Sequence, residues 1–92
     1  PGRWHLVASP SGRDSSIAIH QDADLWLARL LPGQSVNHPL APGRHAWLHV
    51  AEGGVAVSGK PLSGGDAVAI EGETSVTVAA RGPSQVLLFD LH

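Results

Sequence analysis

The sequence predicts an all-β domain, a sandwich or barrel of short strands. Eleven glycines and seven prolines punctuate the 92 residues. Between them lie short runs rich in Val, Ile, Leu and Trp. Runs of this kind, recurring about every ten residues and bounded by turn residues, are typical of β-sandwiches and β-barrels.

We predict nine strands from these runs. They are Trp4–Ala8, Ser16–His20, Asp24–Leu31, Ser35–His38, His45–Ala51, Gly54–Ser58, Ala67–Ile70, Ser75–Ala80 and Gln85–Leu91. Pro32-Gly33 and Pro42-Gly43 fit type II turns, which favour Pro at the second position and Gly at the third. Ser58-Gly59-Lys60 supplies a glycine for positive φ between two short strands.

One segment has a helical alternative. Asp22 or Asp24 could cap a helix running to Leu31. The apolar residues that follow, however, alternate with other residues, as expected for a strand. They are Leu25, Leu27 and Leu31. We therefore predict a strand there and no long helix in the chain.

Composition and charge exclude several classes of partner. The chain is 42% hydrophobic and 15% charged, as befits one folded domain, and its net charge is −2. Its six Lys and Arg are scattered, whereas nucleic-acid and anionic-membrane surfaces need clustered cations. No apolar run approaches the ~18 residues of a membrane-spanning helix. We expect no nucleic-acid partner and no membrane partner.

The chain has no Cys and no Met. Disulfides, thiolate metal ligands and a Cys nucleophile are thereby excluded, and the absence of Cys fits a cytoplasmic protein. Because the chain opens at Pro1 without Met, we expect residues 1–92 to be one domain excised from a longer protein.

Two stretches resemble the conserved motifs of the cupin family. The segment from His45 to Gly59 resembles the first motif, G-x5-H-x-H-x3–4-E-x6-G, with His45 at the first His and Glu52 at the Glu. The segment from Pro61 to Ile70 resembles the opening of the second motif, through Gly65-Asp66.

The whole chain resembles the C-terminal domain of pirin-like bicupins, which include bacterial quercetin 2,3-dioxygenase-like proteins. The residues that carry this resemblance are Trp4–Arg13, Ile19–Ala23, His38–Trp47 and Leu87–Leu91. It implies a cupin-type double-stranded β-helix, that is, a jelly roll. It also implies a preceding cupin domain that binds a divalent metal through three His and one Glu and carries the quercetinase activity. The C-terminal domain of the family packs against that domain and usually lacks a metal.

The cupin ligand positions are degenerate here. Taken residue by residue, the resemblance places them at His45, Trp47, Glu52 and Val76. An indole and an isopropyl group cannot ligate a metal. We therefore expect no metal, no cofactor and no catalytic residue in this domain. A displaced site for a divalent transition metal is the alternative, although two of its His would lie about 13 Å apart along one strand. Its candidates are His38, His45, His49 and Glu52.

The orientation of the strand His45–Ala51 stays open at this point. If Ala46, Leu48 and Val50 face the core, the intervening residues face outward, towards a partner domain. If the cupin alignment holds literally, Trp47 plugs the barrel. Both faces carry apolar bulk, so the pattern decides neither. Residues predicted to line a pocket or an interface are Trp26, Trp47 and Val76.

Three functions remain as hypotheses. The first is a non-catalytic cupin half that supports the N-terminal cupin domain of a parent chain, and that could form a homodimer when alone. The second is a metal-dependent dioxygenase that uses the displaced cluster. The third is a module that binds a small apolar ligand inside the barrel.

Overall fold

The computed structural model describes residues 2–19 and 22–91, and over these ranges the chain is almost entirely strand. The strands are β1 (Trp4–Ser9), β2 (Ile17–Ala18), β3 (Ala23–Leu30), β4 (Ser35–Pro39), β5 (His45–Glu52), β6 (Gly54–Val57), β7 (Lys60–Ser63), β8 (Ala67–Ile70), β9 (Ser75–Ala80) and β10 (Ser84–Leu91). A single 3-10 turn spans Arg13–Ser15. The all-β prediction is confirmed. Within the same residues, no helix is long and apolar enough to span a membrane.

Two strands differ from the sequence prediction by more than one residue at an end. β7 (Lys60–Ser63) was not predicted, because Lys60, Pro61 and Ser63 leave one apolar residue in the segment. It forms because β6 pairs with it across a tight turn, with Val57 opposite Lys60. The predicted strand Ser16–His20 is only Ile17–Ala18 in the structure, and His20 lies outside the described residues.

The strands form two sheets packed face to face. The six-stranded sheet has the order β2-β1-β3-β10-β5-β8, and the four-stranded sheet has the order β4-β9-β6-β7. From β3 onwards the chain crosses repeatedly between the sheets. As a result, the strand that lies beside β3 in the six-stranded sheet is β10, the last strand. Every pairing except β1 with β2 is antiparallel. This is the double-stranded arrangement of a jelly roll.

The core lies between the inner faces of the two sheets. Alternate residues of each strand point into it, as the two-residue period of a strand requires. Its fully enclosed side chains include Leu48, Val50, Val55, Val76, Val78, Val86 and Leu88. Burying each such aliphatic side chain contributes about 1.5–3 kcal/mol, so this layer is the main source of stability.

Gly53 sits where the chain leaves β5 in one sheet and enters β6 in the other. Its φ is +90°, and a Cβ there would overlap the carbonyl oxygen of Pro83 and the Cα of Ser84. The Ser84 hydroxyl fills the corner, accepting from Gly54 N at 3.2 Å and lying 2.8 Å from the Gly82 carbonyl oxygen. Only glycine fits this crossing without strain.

Candidate functional site

The two faces of β5 decide how the cupin-like residues are presented. Ala46, Leu48 and Val50 point into the core and are almost fully enclosed. The side chains of His45, Trp47 and His49 therefore point to the opposite, outer side of the six-stranded sheet. Trp47 is 45% exposed. Of the two orientations left open by the sequence, the outward one is found, and Trp47 does not fill the barrel.

The four positions aligned with cupin metal ligands do not converge. His45 and Trp47 lie outside the sandwich, and Glu52 is exposed at the end of β5. Val76 points the other way, into the core from β9, and is 0% exposed. The residues present therefore do not fit the metal that the cupin resemblance implies, and no reaction step can be derived through it.

The displaced cluster is not assembled either. His38 lies on β4 in the four-stranded sheet and is buried on its inner side. His45 and His49 lie on the outside of the other sheet, opposite Leu91 and Leu87 respectively. Over residues 2–19 and 22–91, no group of three or more His, Asp or Glu side chains could hold a metal ion.

A polar cluster does exist inside the sandwich, and it joins the two sheets. His38 Nε2 of β4 donates to Asp90 Oδ2 of β10 at 2.8 Å. Arg44 donates from Nε to Asp90 Oδ1 at 2.6 Å and from Nη2 to the Asp90 carbonyl at 3.0 Å. Arg44 Nη1 also donates to Asp22 at 3.1 Å. The buried Asp90 carboxylate is thus compensated from both sides.

The charge state of this cluster follows from its contacts. The hydrogen bond to Asp90 is the main cause that raises the pKa of Arg44, and partial burial opposes it. The hydrogen bond to Asp22 and the charges of both carboxylates raise this pKa further. Arg44 therefore stays positively charged throughout the physiological range. A permanently charged guanidinium against a buried carboxylate is a structural ion pair rather than a proton-transfer group.

Two indole rings pack against the His38 side of the cluster. Trp26 lies 5.4 Å from the His38 ring between centroids, tilted by 55°, and Trp4 lies 6.4 Å away in an edge-on arrangement. The indole N–H groups of both Trp are buried without an acceptor among the described residues. Trp26, predicted to line a pocket or interface, thus packs against His38 and the core. His38 itself is buried, with 7% of the residue exposed.

Sequence reasoning missed Asp90 and Arg44 as partners of His38. A signal was available in the alternation of β10, where Val86, Leu88 and Asp90 occupy successive inward positions. A carboxylate at the third inward position of an otherwise apolar series requires a buried partner. The sequence does not say which of the six His or six Lys and Arg supplies it.

The outward side of the six-stranded sheet is apolar at its centre, and we call this region the outer apolar face. Cross-strand register aligns Leu25 with Phe89 and Trp47, and aligns Leu27 with Leu87 and His49. Its members are Leu25, Leu27, Trp47, Leu87, Phe89 and Leu91. On its β1 side lies a depression of about 480 Å³ lined by Arg3, His5, Leu27 and Arg29.

A second concavity opens at the edge of the sandwich between β7 and β8. It has a volume of about 250 Å³. Val57, Leu62, Val68 and Ile70 supply its apolar wall, and Lys60, Glu71 and Glu73 supply its polar rim. It is small beside the roughly 300–1,000 Å³ of typical ligand pockets.

Known proteins resemble this chain over nearly its full length. The quercetin 2,3-dioxygenase of Escherichia coli (strain K12) is 40% identical over 86 residues, which cover 94% of this chain and 37% of that protein. The putative counterpart from Pasteurella multocida (strain Pm70) is 36% identical over 88 residues and 38% of its length. The chain thus spans little more than a third of the curated relatives that it matches.

Solved structures agree with the sequence relatives. The crystal structure of YhhW from Escherichia coli superposes with a TM-score of 0.96 at 37% identity, covering 100% of this chain and 39% of that one. A structure of the bacterial pirin YhhW in complex with nickel(II) gives a TM-score of 0.93 at 39% identity. The expected cupin fold is therefore confirmed. The family described as the quercetinase C-terminal cupin domain matches residues 6–91, and this chain belongs to it.

Proposed function

We propose that this domain is the non-catalytic C-terminal half of a two-cupin protein of the quercetin 2,3-dioxygenase-like, pirin-like class. In that protein, which we call the longer chain, it supports and shapes the N-terminal cupin domain. The observation that carries the proposal is the orientation of β5, which directs His45, Trp47 and His49 out of the sandwich and fills its interior with Ala46, Leu48 and Val50.

The interior offers no place for substrate chemistry. A metal centre or an acid–base site needs an accessible concave position with converging polar groups. Here the core between the two sheets includes Leu48 of β5 and Val76 of β9, both 0% exposed. The buried His38 and Asp90 side chains are hydrogen-bonded to each other, and two Trp rings pack against His38. These features support the proposal that the metal site is degenerate and that its place is taken by packed core side chains.

Metal and dioxygenase chemistry then belong to the other domain of the longer chain. A relative in complex with nickel(II) and relatives named quercetin 2,3-dioxygenase support such an activity for the whole protein. We assign the longer chain to the cytoplasm, in agreement with the absence of Cys from this domain.

The test is metal content and turnover of the longer chain. The triple variant His45→Ala, His49→Ala, Glu52→Gln should keep the wild-type metal stoichiometry, measured by elemental analysis, and quercetinase turnover within about twofold. His5→Ala on the same sheet is the matched control. Loss of one metal equivalent in the triple variant, but not in the control, would overturn the proposal.

Binding of a small apolar ligand is a second candidate, favoured by the cleft between β7 and β8. Its four aliphatic side chains would receive a compact ring, and Lys60 could meet an anionic substituent. A flavonoid panel in a thermal-shift assay tests this. A shift that disappears in Leu62→Glu supports the candidate, and no shift with any compound rejects it.

A further inference from the structure

We propose that the open edge of β8, together with the cleft between β7 and β8, is a docking site for an extended peptide segment of another protein. The segment adds a strand to the six-stranded sheet beside β8. It places apolar side chains in the cleft and a basic side chain at Glu71 and Glu73. This inference goes beyond the proposed supporting role and does not depend on it.

The strands at the edges of the two sheets differ in how they are protected. Sheet edges carry unpaired backbone groups, and proteins guard them with short strands, Pro or Lys. β2 is only two residues long, β4 ends in Pro39, and β7 begins with Lys60-Pro61. The fourth edge strand, β8, spans Ala67–Ile70 and contains neither Pro nor a charged residue. β8 is therefore the unprotected edge, which is suited to pair with another strand.

The backbone of β8 presents hydrogen-bonding groups on its outer side. Among the residues that the structure describes, β8 pairs only with β5. Val50 N donates to Asp66 O at 2.9 Å. Because every second residue of an antiparallel strand bonds to a given neighbour, Val68 also bonds to β5. The N–H and C=O groups of Ala67 and Ala69 then face the open edge, where an incoming strand can bond to them.

The cleft beside this edge suits the side chains of an added strand. An incoming residue opposite Val68 or Ile70 lies on the same side of the sheet as these two residues and so points into the cleft. Val57 and Leu62 of the other sheet line the same cleft. Its volume of about 250 Å³ is below the roughly 300–1,000 Å³ of typical small-molecule pockets. Strand-addition sites need only such small pockets, which receive alternate side chains.

The charged rim of the cleft indicates a basic partner. Glu71 and Glu73 follow β8, line the cleft and are exposed. Neither forms an ion pair within residues 2–19 and 22–91. Lys60 supplies one cation against these two carboxylates. The rim is thus net negative and favours a segment that carries Lys or Arg beyond its apolar positions.

A second copy of this chain does not fit the same edge. In an antiparallel twofold pair, the start of one β8 would lie beside the end of the other. Asp66 precedes β8 and Glu71 follows it. Such a pair would bring carboxylates of the two copies together, and like charges on facing strands are destabilising. The occupant is therefore a different chain with the opposite charge.

Fluorescence anisotropy of labelled peptides on the longer chain tests the proposal. The probe is a short peptide that alternates Val and Thr and ends in two Lys, and it should bind saturably. N-methylation of its Thr amides, which face β8 when Val occupies the cleft, should weaken binding about tenfold because hydrogen bonds to the edge are lost. N-methylation of its Val amides, which face away, is the matched control and should not. Replacing the two Lys by Glu should also weaken binding, and more so at low salt.

Ala69→Pro is the corresponding change in the protein. It removes an N–H group that faces the open edge, where Pro leaves the pairing with β5 intact, and should weaken binding of the Lys-ended peptide about tenfold. Glu71→Lys should weaken the Lys-ended peptide and strengthen the Glu-ended one. Glu52→Lys, at the other end of β5, should change neither.

Fluorescence of the buried indoles of Trp4 and Trp26 reports whether a variant is folded. If Ala69→Pro unfolds the domain, the two N-methylated peptides decide the question, because they leave the protein unchanged.

Three outcomes overturn the inference. The first is no saturable binding of the Lys-ended peptide to the wild-type longer chain. The second is equal binding of the two N-methylated peptides, which would place the contact away from the sheet edge. The third is dissociation of a dimer of the longer chain by the peptide in sedimentation velocity, which would identify a second copy as the occupant. None of these outcomes depends on metal content, so this inference and the proposed function can fail separately.

Discussion

The two sheets share one core but have different outward sides. The four-stranded sheet presents small and polar residues, including Ser35, Asn37 and Thr77, and the Thr77 hydroxyl donates to Asn37 Oδ1 at 2.9 Å. The six-stranded sheet presents Trp47 and Phe89 among leucines. The first pattern suits permanent contact with water, and the second does not. The two outward sides should therefore respond differently to substitution.

This contrast also bears on the proposed function. The positions aligned with cupin metal ligands do not converge, whereas cross-strand register brings the members of the outer apolar face together. The proposed role in domain contact therefore predicts different behaviour for the two outward sides. Four predictions test this comparison. The first two concern residues that connect the two sheets, and the other two concern the outward sides of the sheets.

The largest effect should come from Asp90→Ala, which breaks the polar link between the sheets. The change removes the buried carboxylate that pairs with Arg44, leaving it only the exposed Asp22, and leaves His38 without its acceptor. We expect a cost of about 3–5 kcal/mol in the free energy of unfolding. Urea denaturation followed by circular dichroism measures it. The control is Asp24→Ala, which removes a surface pair with Arg13 and should cost at most about 1 kcal/mol. Equal losses of stability in the two variants would show that the buried contacts of Asp90 stabilise the domain no more than the surface pair does.

Gly53→Ala should be next. The new methyl group meets backbone atoms of Pro83 and Ser84 at a residue with positive φ, so we expect a loss of about 3 kcal/mol. Gly59→Ala has a similar φ of +85° but open space around its Cβ, and should lose about 1 kcal/mol. Thermal unfolding of both variants separates the overlap from the φ penalty. If the Gly59 variant is as unstable as the Gly53 variant, overlap with Pro83 and Ser84 is not what makes glycine necessary at residue 53.

The isolated 92-residue domain should self-associate through the outer apolar face. Replacing Trp47 and Phe89 by Ser should weaken this association about 10- to 100-fold, or about 1.4–2.8 kcal/mol, because apolar anchors carry most of the binding energy. Sedimentation equilibrium measures the dissociation constant. Ala56→Ser, on the outward side of the four-stranded sheet, should leave it unchanged. Association that is insensitive to the double change would place the contact elsewhere.

The smallest effect should come from Thr77→Val. It removes the hydrogen bond to Asn37 on a side that stays in water, at a cost of at most about 1 kcal/mol. The loss should be the same in the isolated domain and in the longer chain, as compared by chemical denaturation. A loss confined to the longer chain would mean that the four-stranded sheet also faces a partner.

The sequence predicted the strands well where local pattern and turn residues coincide. Ala67–Ile70 and Ser75–Ala80 have the bounds that were predicted, since each alternates and is bounded by turn residues. β7 could not be predicted, because its strand conformation is imposed by pairing with β6 rather than by Lys60-Pro61.

The candidate site was harder to predict, for two physical reasons. Trp47 and Leu48 are both large and apolar, so alternation could not tell which face of β5 is inside. Burial of Leu48 in the core between the two sheets decides it. His38 and Asp90 are 52 residues apart, and nothing local in the sequence links them. Residue types gave the candidates, but the topology determined their neighbours.

The position of β10 has a consequence for how the domain is made. β10 lies between β3 and β5 and pairs with both along its whole length, yet it is the last strand of the fold. During synthesis, β3 and β5 must wait with open edges until residues 84–91 leave the ribosome. Such distant pairing slows folding. In a nascent chain, residues 84–91 should therefore switch the sheet from an open, aggregation-prone form to the closed one.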